Sequence, residues 1–133
     1  MTTAWHALAQ LASWPDLTEV RSSCGTGRAL GSAGGEIAHF HTERSVDLYL
    51  TVRAIRRYEP DLRRSTAIRL VPGSHWVTVR LECESDVNLL MTLMSAALRA
   101  HQERPDTPGA SPAASPARCN DRLETALAHR ESL

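Results

Sequence analysis

His39 and His41 flank Phe40 in the stretch EIAHFHTERSVDL, residues 36 to 48, with Asp47 six residues beyond His41, in a chain of 133 residues that holds six histidines. Imidazole is the side chain whose charge changes near neutral pH, and two of them spaced by one residue on a strand share a face. Two chemistries fit that spacing. As a chelating pair, His39 and His41 need a third and a fourth ligand, for which His75, Asp47, Glu36 and Glu43 are the candidates. No second close ligand pair accompanies them, so a divalent metal at His39 and His41 ranks behind a reading with no metal and no other cofactor. As acid/base groups they need a carboxylate to orient a ring, and Asp47 on the following strand is placed for it.

The turn between the two strands decides which residues meet. If Thr42, Glu43 and Arg44 form a three-residue turn, His39 lies opposite Asp47 and an acid/base pair results. If Ser45 also belongs to the turn, His39 faces Leu48, His41 faces Val46, and the imidazoles become part of a pocket wall or hydrogen-bonded structural groups. Alternation puts Ile37, His39 and His41 on one face and Ala38 and Phe40 on the other.

Other residues could hold a ligand beside that pair. His75 and Trp76 follow the turn residues Pro72 to Ser74, and Trp76 is either a core anchor or one wall of an aromatic-binding pocket. Arg53, Arg56, Arg57, Arg63, Arg64 and Arg69 place six of the fifteen arginines within seventeen residues. They make either a solvated helix face or a patch that recognises a carboxylate or phosphate.

The elements that carry these residues can be read from periodicity and punctuation. Trp5, Leu8, Leu11 and Ala12 recur at helical spacing after Thr3, a possible cap, and Pro15 closes that helix. A short extended run spans 17 to 21. Residues 24 to 35 hold five glycines and read as a turn-rich hairpin segment; the GTGRALG within it has its third glycine one place late for a dinucleotide fingerprint. Strands are expected at 36 to 41, 45 to 50, 67 to 71 and 76 to 81, with a short helix from 51 to 58 ended by Pro60. The clearest helix starts at Ser85 as cap with Asp86 in its first turn, and Val87, Leu90, Met91, Met94, Ala97 and Leu98 form its apolar stripe. The fold class is therefore α+β: an antiparallel sheet of four to five strands, with an N-terminal helix, a short middle helix and a long helix after the last strand packed on one face. The domain runs over residues 1 to 102. A Pro/Ala/Ser-rich linker follows over 103 to 120, and 121 to 133 form a short helix or a disordered tail, through which a protein partner or self-association is conceivable.

Composition narrows the function. The fifteen basic residues are all arginine, which fits a high-GC bacterium and removes every mechanism that needs a lysine, Schiff-base and P-loop chemistry among them. Fifteen acids balance them, so no global field recruits nucleic acid. No run approaches the roughly 20 apolar residues that span a bilayer, and no secretory signal opens the chain. A cytoplasmic protein is expected, with Cys24, Cys83 and Cys119 reduced.

The stretches GGEIAHFHTERSVDL, VRAIRRY and VPGSHWVTVRLECESDVNLLMTLMSAAL together resemble the small bacterial luciferase-like domains, a family that shares a domain with the fungal luciferases. The resemblance covers roughly residues 5 to 100. It maps onto Glu36, Ile37, His39, His41, Asp47, Leu48, Ser74, Trp76 and Val77 and, more loosely, onto Ser85, Asp86 and Val87. The chain departs from the family pattern at Ile68 and Arg69, where a further histidine is usual, and at His75, where a glycine is usual. Fungal members oxygenate a hydroxylated pyrone with dioxygen, so the resemblance implies a small-molecule enzyme, an oxygenase or cyclase of specialised metabolism, acting on an acidic, planar, oxygenated ring. In that reading His39, His41 and Asp47 are catalytic, and Trp76, His75, Arg53, Arg69 and Ser74 bind substrate. The alternative is a non-catalytic ligand-binding or protein-interaction module.

Overall fold

The computed structural model describes residues 2–22, 27–33 and 35–103; Cys24, Cys119, and the linker and tail helix expected beyond Glu103 lie outside the described residues. The element order is α1 (Thr3–Ala12), β1 (Thr18–Val20), β2 (Arg28–Ser32), β3 (Gly35–Phe40), β4 (Ser45–Tyr49), α2 (Val52–Arg64), β5 (Ile68–Leu70), β6 (Trp76–Arg80) and α3 (Glu84–Glu103). The strands form one six-stranded sheet in the order β1-β2-β3-β4-β6-β5, and each neighbouring pair is antiparallel.

Two adjacent transverse rows explain how this sheet is built. One row runs Glu19, Leu30, Ala38, Leu48, Val77, Leu70 across the six strands, and the next runs Val20, Ala29, His39, Asp47, Thr78, Arg69. Consecutive rows point to opposite faces. Leu30, Ala38, Leu48 and Val77 are all 0% exposed and join the main hydrophobic cluster, against which α3 packs on β4 and β6. In α1, Ala4, Ala7, Leu8 and Leu11 are buried, the i, i+3, i+4, i+7 spacing of one helical stripe, and this stripe lies beside α3. Each large side chain fully buried in this cluster contributes roughly 1.5–3 kcal/mol. The polar groups of the second row must then be accommodated on the other face.

β3 breaks the expected alternation. Leu30 pairs with Ala38 but Gly31 pairs with Glu36, so β3 carries one extra residue, Ile37, at a bulge. Ile37 is 0% exposed within the apolar cluster, not on the histidine face. Glu36 is moved to that face instead, which simple period-two counting could not reveal.

Four further expectations are corrected. The glycine-rich segment contains a strand, β2, which raises the count to six; Gly31 sits there because an added Cβ would lie 3.0 Å from Val20 Cγ1 and 3.1 Å from the Gly35 carbonyl. The cap of α1 is Thr2, whose hydroxyl accepts from Trp5 N–H at 3.2 Å. α2 runs through Pro60 to Arg64: proline removes one helical hydrogen bond, but Leu62 beyond it is 3% exposed and ties the last turn to the core. α3 has already begun at Glu84, ahead of the expected Ser85 cap. Its start is secured by Asp86, whose Oδ2 accepts from Glu82 N–H at 2.9 Å and lies 3.5 Å from Arg80 Nε. Burial raises the Asp86 carboxyl, but the Glu82 N–H bond and the Arg80 guanidinium outweigh it and hold the group below its ordinary value.

Candidate functional site

The open question of register resolves toward the three-residue turn: Ala38 pairs with Leu48 and His39 with Asp47. Thr42 shapes that turn, its Oγ1 accepting from the backbone N–H groups of Arg44 and Ser45 at 3.1 and 3.2 Å. Yet the ring that reaches Asp47 is the diagonal one. His41 Nε2 lies 3.6 Å from Asp47 Oδ2, while His39 Nδ1 lies 3.2 Å from Glu36 Oε1. The bulge at Ile37 is what permits the second contact, since three residues apart on a regular strand would place Glu36 and His39 on opposite faces.

The result is two imidazole–carboxylate pairs laid one on the other. The rings of His39 and His41 are 3.6 Å apart between centroids and tilted by 32°. His39 is 0% exposed, whereas the His41 side chain is 10% exposed. At that separation two imidazolium charges would repel strongly, so the stack disfavours protonation of both rings at once. Asp47 is anchored from the far side: Thr78 Oγ1 donates to its Oδ1 at 2.6 Å, in a buried contact, the short distance of a charge-assisted bond. Ser22 Oγ lies 2.7 Å from His39 Nε2 and 3.5 Å from its Nδ1. Those two distances put the hydroxyl to the side of the ring and not along the Nε2 lone pair, which is the geometry of a packed polar cluster more than of an activated nucleophile.

The remaining candidates divide. Arg69 joins His39 and Asp47 in the transverse row, as the pairing partner of Thr78, and is exposed. Arg53 is exposed on the first turn of α2 and is not part of that row. Trp76 is 1% exposed and its ring stacks on Tyr49 at 5.0 Å, which is the core-anchor arrangement of the two that its sequence position allowed. Tyr49 also meets His101 of α3 edge-on at 4.5 Å, and His101 Nε2 lies 2.9 Å from the Tyr49 carbonyl. The His75 ring lies edge-on to Tyr49 at 6.2 Å, and its carbonyl accepts from Leu50 and Thr51 N–H groups. Ser74 Oγ accepts from Trp76 N–H at 3.0 Å and borders a groove of about 370 Å3 shared with Arg56, Glu59 and Arg63; Glu59 pairs with Arg63 at 2.8 Å, so that arginine's charge is met within the helix.

Glu36 as a histidine partner, Ser22, Thr78 and Tyr49 were not assigned to the site from sequence. Glu36 carried a signal, as a candidate metal ligand and a position of the family pattern, and Thr78 carried one in its parity with Trp76 on β6. Among the described residues no group of three or more His, Cys, Asp or Glu side chains is arranged to hold a metal ion. Nor is any described helix long and apolar enough to cross a membrane.

No curated protein and no solved structure matches the chain. A family model, the Luciferase domain, matches residues 34–97, the span from the start of β3 into α3 that contains Glu36, both histidines, Asp47, Arg69 and Thr78. Over those residues the chain is similar to the luciferase-like domain family.

Proposed function

We propose that the protein is a small-molecule enzyme, an oxygenase or cyclase that acts on an acidic, planar, oxygenated ring by proton abstraction at His41, without a metal. The observation that carries this reading is the pair of stacked imidazoles, each set against its own carboxylate, with only one of them reaching the surface. His39 is enclosed between Glu36 and Ser22 and positions its neighbour. His41 is the group that can meet a ligand, with the negative charge of Asp47, 3.6 Å from Nε2, favouring the proton on that nitrogen so that Nδ1 acts as base.

In this mechanism Nδ1 takes the proton of an enol or phenol, leaving an enolate and an imidazolium whose charge Asp47 offsets. The enolate carbon then forms a bond either to dioxygen, which accepts the electron pair and receives the proton back from His41 as a hydroperoxide, or to a carbonyl carbon of the same molecule, whose π pair moves onto its oxygen and takes the proton from His41 as the ring closes to an alcohol. Arg69 holds an anionic substituent of the substrate. The complete burial of His39 favours a second reading, a binding module in which the histidines are hydrogen-bonded framework and no bond is made.

Oxygen uptake and product mass, measured over a panel of cyclic enols and phenols, separate the two. Turnover that drops by about 10²–10⁴-fold in His41→Gln, the usual contribution of a general base, supports the enzyme. Turnover unchanged in a folded His41→Gln variant sinks the mechanism, and binding without turnover by the wild type supports the module.

A further inference from the structure

We propose that the groove between α2 and the turn joining β5 to β6 binds a monocarboxylate with a compact aliphatic body. His39, His41, Asp47 and Thr78 are not among its lining residues, so this site is separate from the histidine cluster and does not rest on the reaction above. The groove has a volume of about 370 Å3, within the range of small-ligand pockets. α2 turns two faces to its surroundings. Ala54, Tyr58 and Leu62 pack on the core, each four residues from the next. Val52, Ile55, Arg56, Glu59 and Arg63 line the groove, a second stripe at helical spacing. Leu70, Val71 and Pro72 line it from the strand side. Ile55 and Leu70 are only partly buried, which leaves apolar surface for a ligand to cover.

The charges in the lining do not cancel. Arg56 and Arg63 stand against a single carboxylate, Glu59, an excess of one positive charge. Nε and Nη2 of Arg63 both donate to Glu59 Oε1, at 3.1 and 2.8 Å, so this pair is closed on itself. Among the described residues Arg56 enters no ion pair and no hydrogen bond. Its planar fork suits a carboxylate. The order along α2 sets the ligand's direction. Val52 and Ile55 precede Arg56, with Val52 one turn or about 6 Å away at 1.5 Å per residue, and the Glu59–Arg63 pair follows it. A carboxylate held by Arg56 therefore lays its chain over Val52 and Ile55. A second carboxylate has no place there, because the other end of the groove is taken by a pair already neutralised.

Amide NMR titration with butyrate, hexanoate and hexanamide tests this. Hexanoate should move the Ile55, Arg56, Leu70 and Gly73 signals. Butyrate should bind roughly tenfold more weakly, since each buried methylene is worth about fourfold, and uncharged hexanamide should also bind about tenfold more weakly than hexanoate. Arg56 is exposed, so Arg56→Gln should keep the fold and weaken hexanoate about tenfold. Arg64→Gln, whose arginine lies 4.0 Å from Asp61 outside the groove, should bind hexanoate as the wild type does. The proposal is overturned if hexanoate moves none of the groove amides, if the shifts fall at His41 in their place, if butyrate or hexanamide binds as well as hexanoate, or if Arg56→Gln binds it no more weakly than Arg64→Gln.

Discussion

Replacing the two histidines one at a time should split stability from activity, because the pair is asymmetric in its surroundings. His39 is 0% exposed and its nitrogens lie 2.7 Å from Ser22 Oγ and 3.2 Å from Glu36 Oε1. At about 1 kcal/mol for the Glu36 contact, and about 1–3 kcal/mol for taking that neighbour from the buried Glu36 Oε1, His39→Gln should cost about 2–4 kcal/mol. A domain of about 100 residues loses roughly 4–8 °C in Tm for each kcal/mol, so the melting point should fall by at least about 8 °C. His41 is different. Its 3.6 Å approach to Asp47 is longer than a hydrogen bond, and His41→Gln should change stability by less than about 1 kcal/mol. Its effect belongs in the barrier, where a 10²–10⁴-fold rate loss is about 2.7–5.5 kcal/mol. Urea unfolding of both variants, followed by fluorescence of the buried Trp76, measures the first half without any substrate, and oxygen uptake measures the second. If His39→Gln is as stable as the wild type, or His41→Gln is the variant that unfolds, the assignment of framework and base is reversed and the reasoning fails.

Three other outcomes follow from particular residues. Asp86 is held below its ordinary value in the folded protein, so the stability it contributes is complete above the unfolded value near about 3.9 and is lost as pH falls through the lowered folded one. Asp86→Asn should flatten that acid limb in urea midpoints taken as a function of pH; an unchanged limb would assign it to other carboxylates. Thr51 caps α2 at φ 85°, a backbone region costly for a β-branched side chain. Thr51→Gly should therefore be as stable as the wild type or better, while Thr51→Ala loses about 1 kcal/mol with the cap, and equal urea midpoints for the two would argue against backbone strain. An added Cβ at Gly27, which has φ 71°, would collide with the Phe40 carbonyl and lie 3.1 Å from His41 Cα, so Gly27→Ala should cost more than about 1 kcal/mol and shift the His41 ring signals; a thermal melt superimposable on that of the wild type contradicts this.

The legible parts of this fold were the ones governed by local periodicity. Of the expected α3 stripe Val87, Leu90, Met94, Ala97 and Leu98 are buried and Met91 is partly buried, and the Pro72–Ser74 turn closes with Ser74 N–H donating to the Val71 carbonyl at 3.0 Å. β2 was hidden because glycine is a turn former by propensity, whereas at Gly31 it answers a close approach by β1. α2 outran Pro60 because the burial of Leu62 outweighs one missing helical bond. Local rules carry no record of such contacts.

The candidate site shows the same division. Residue types and spacing alone established that two imidazoles share a strand face, that a carboxylate lies within reach of one turn's reversal, and that lysine chemistry is excluded. Which carboxylate meets which ring was decided by the tertiary structure. A single extra residue at Ile37 moves Glu36 across the sheet to His39 and leaves Asp47 to His41, and the Gly31–Glu36 pairing that creates the bulge is a contact between strands. Alternation is a property of one strand, but a bulge exists only between two.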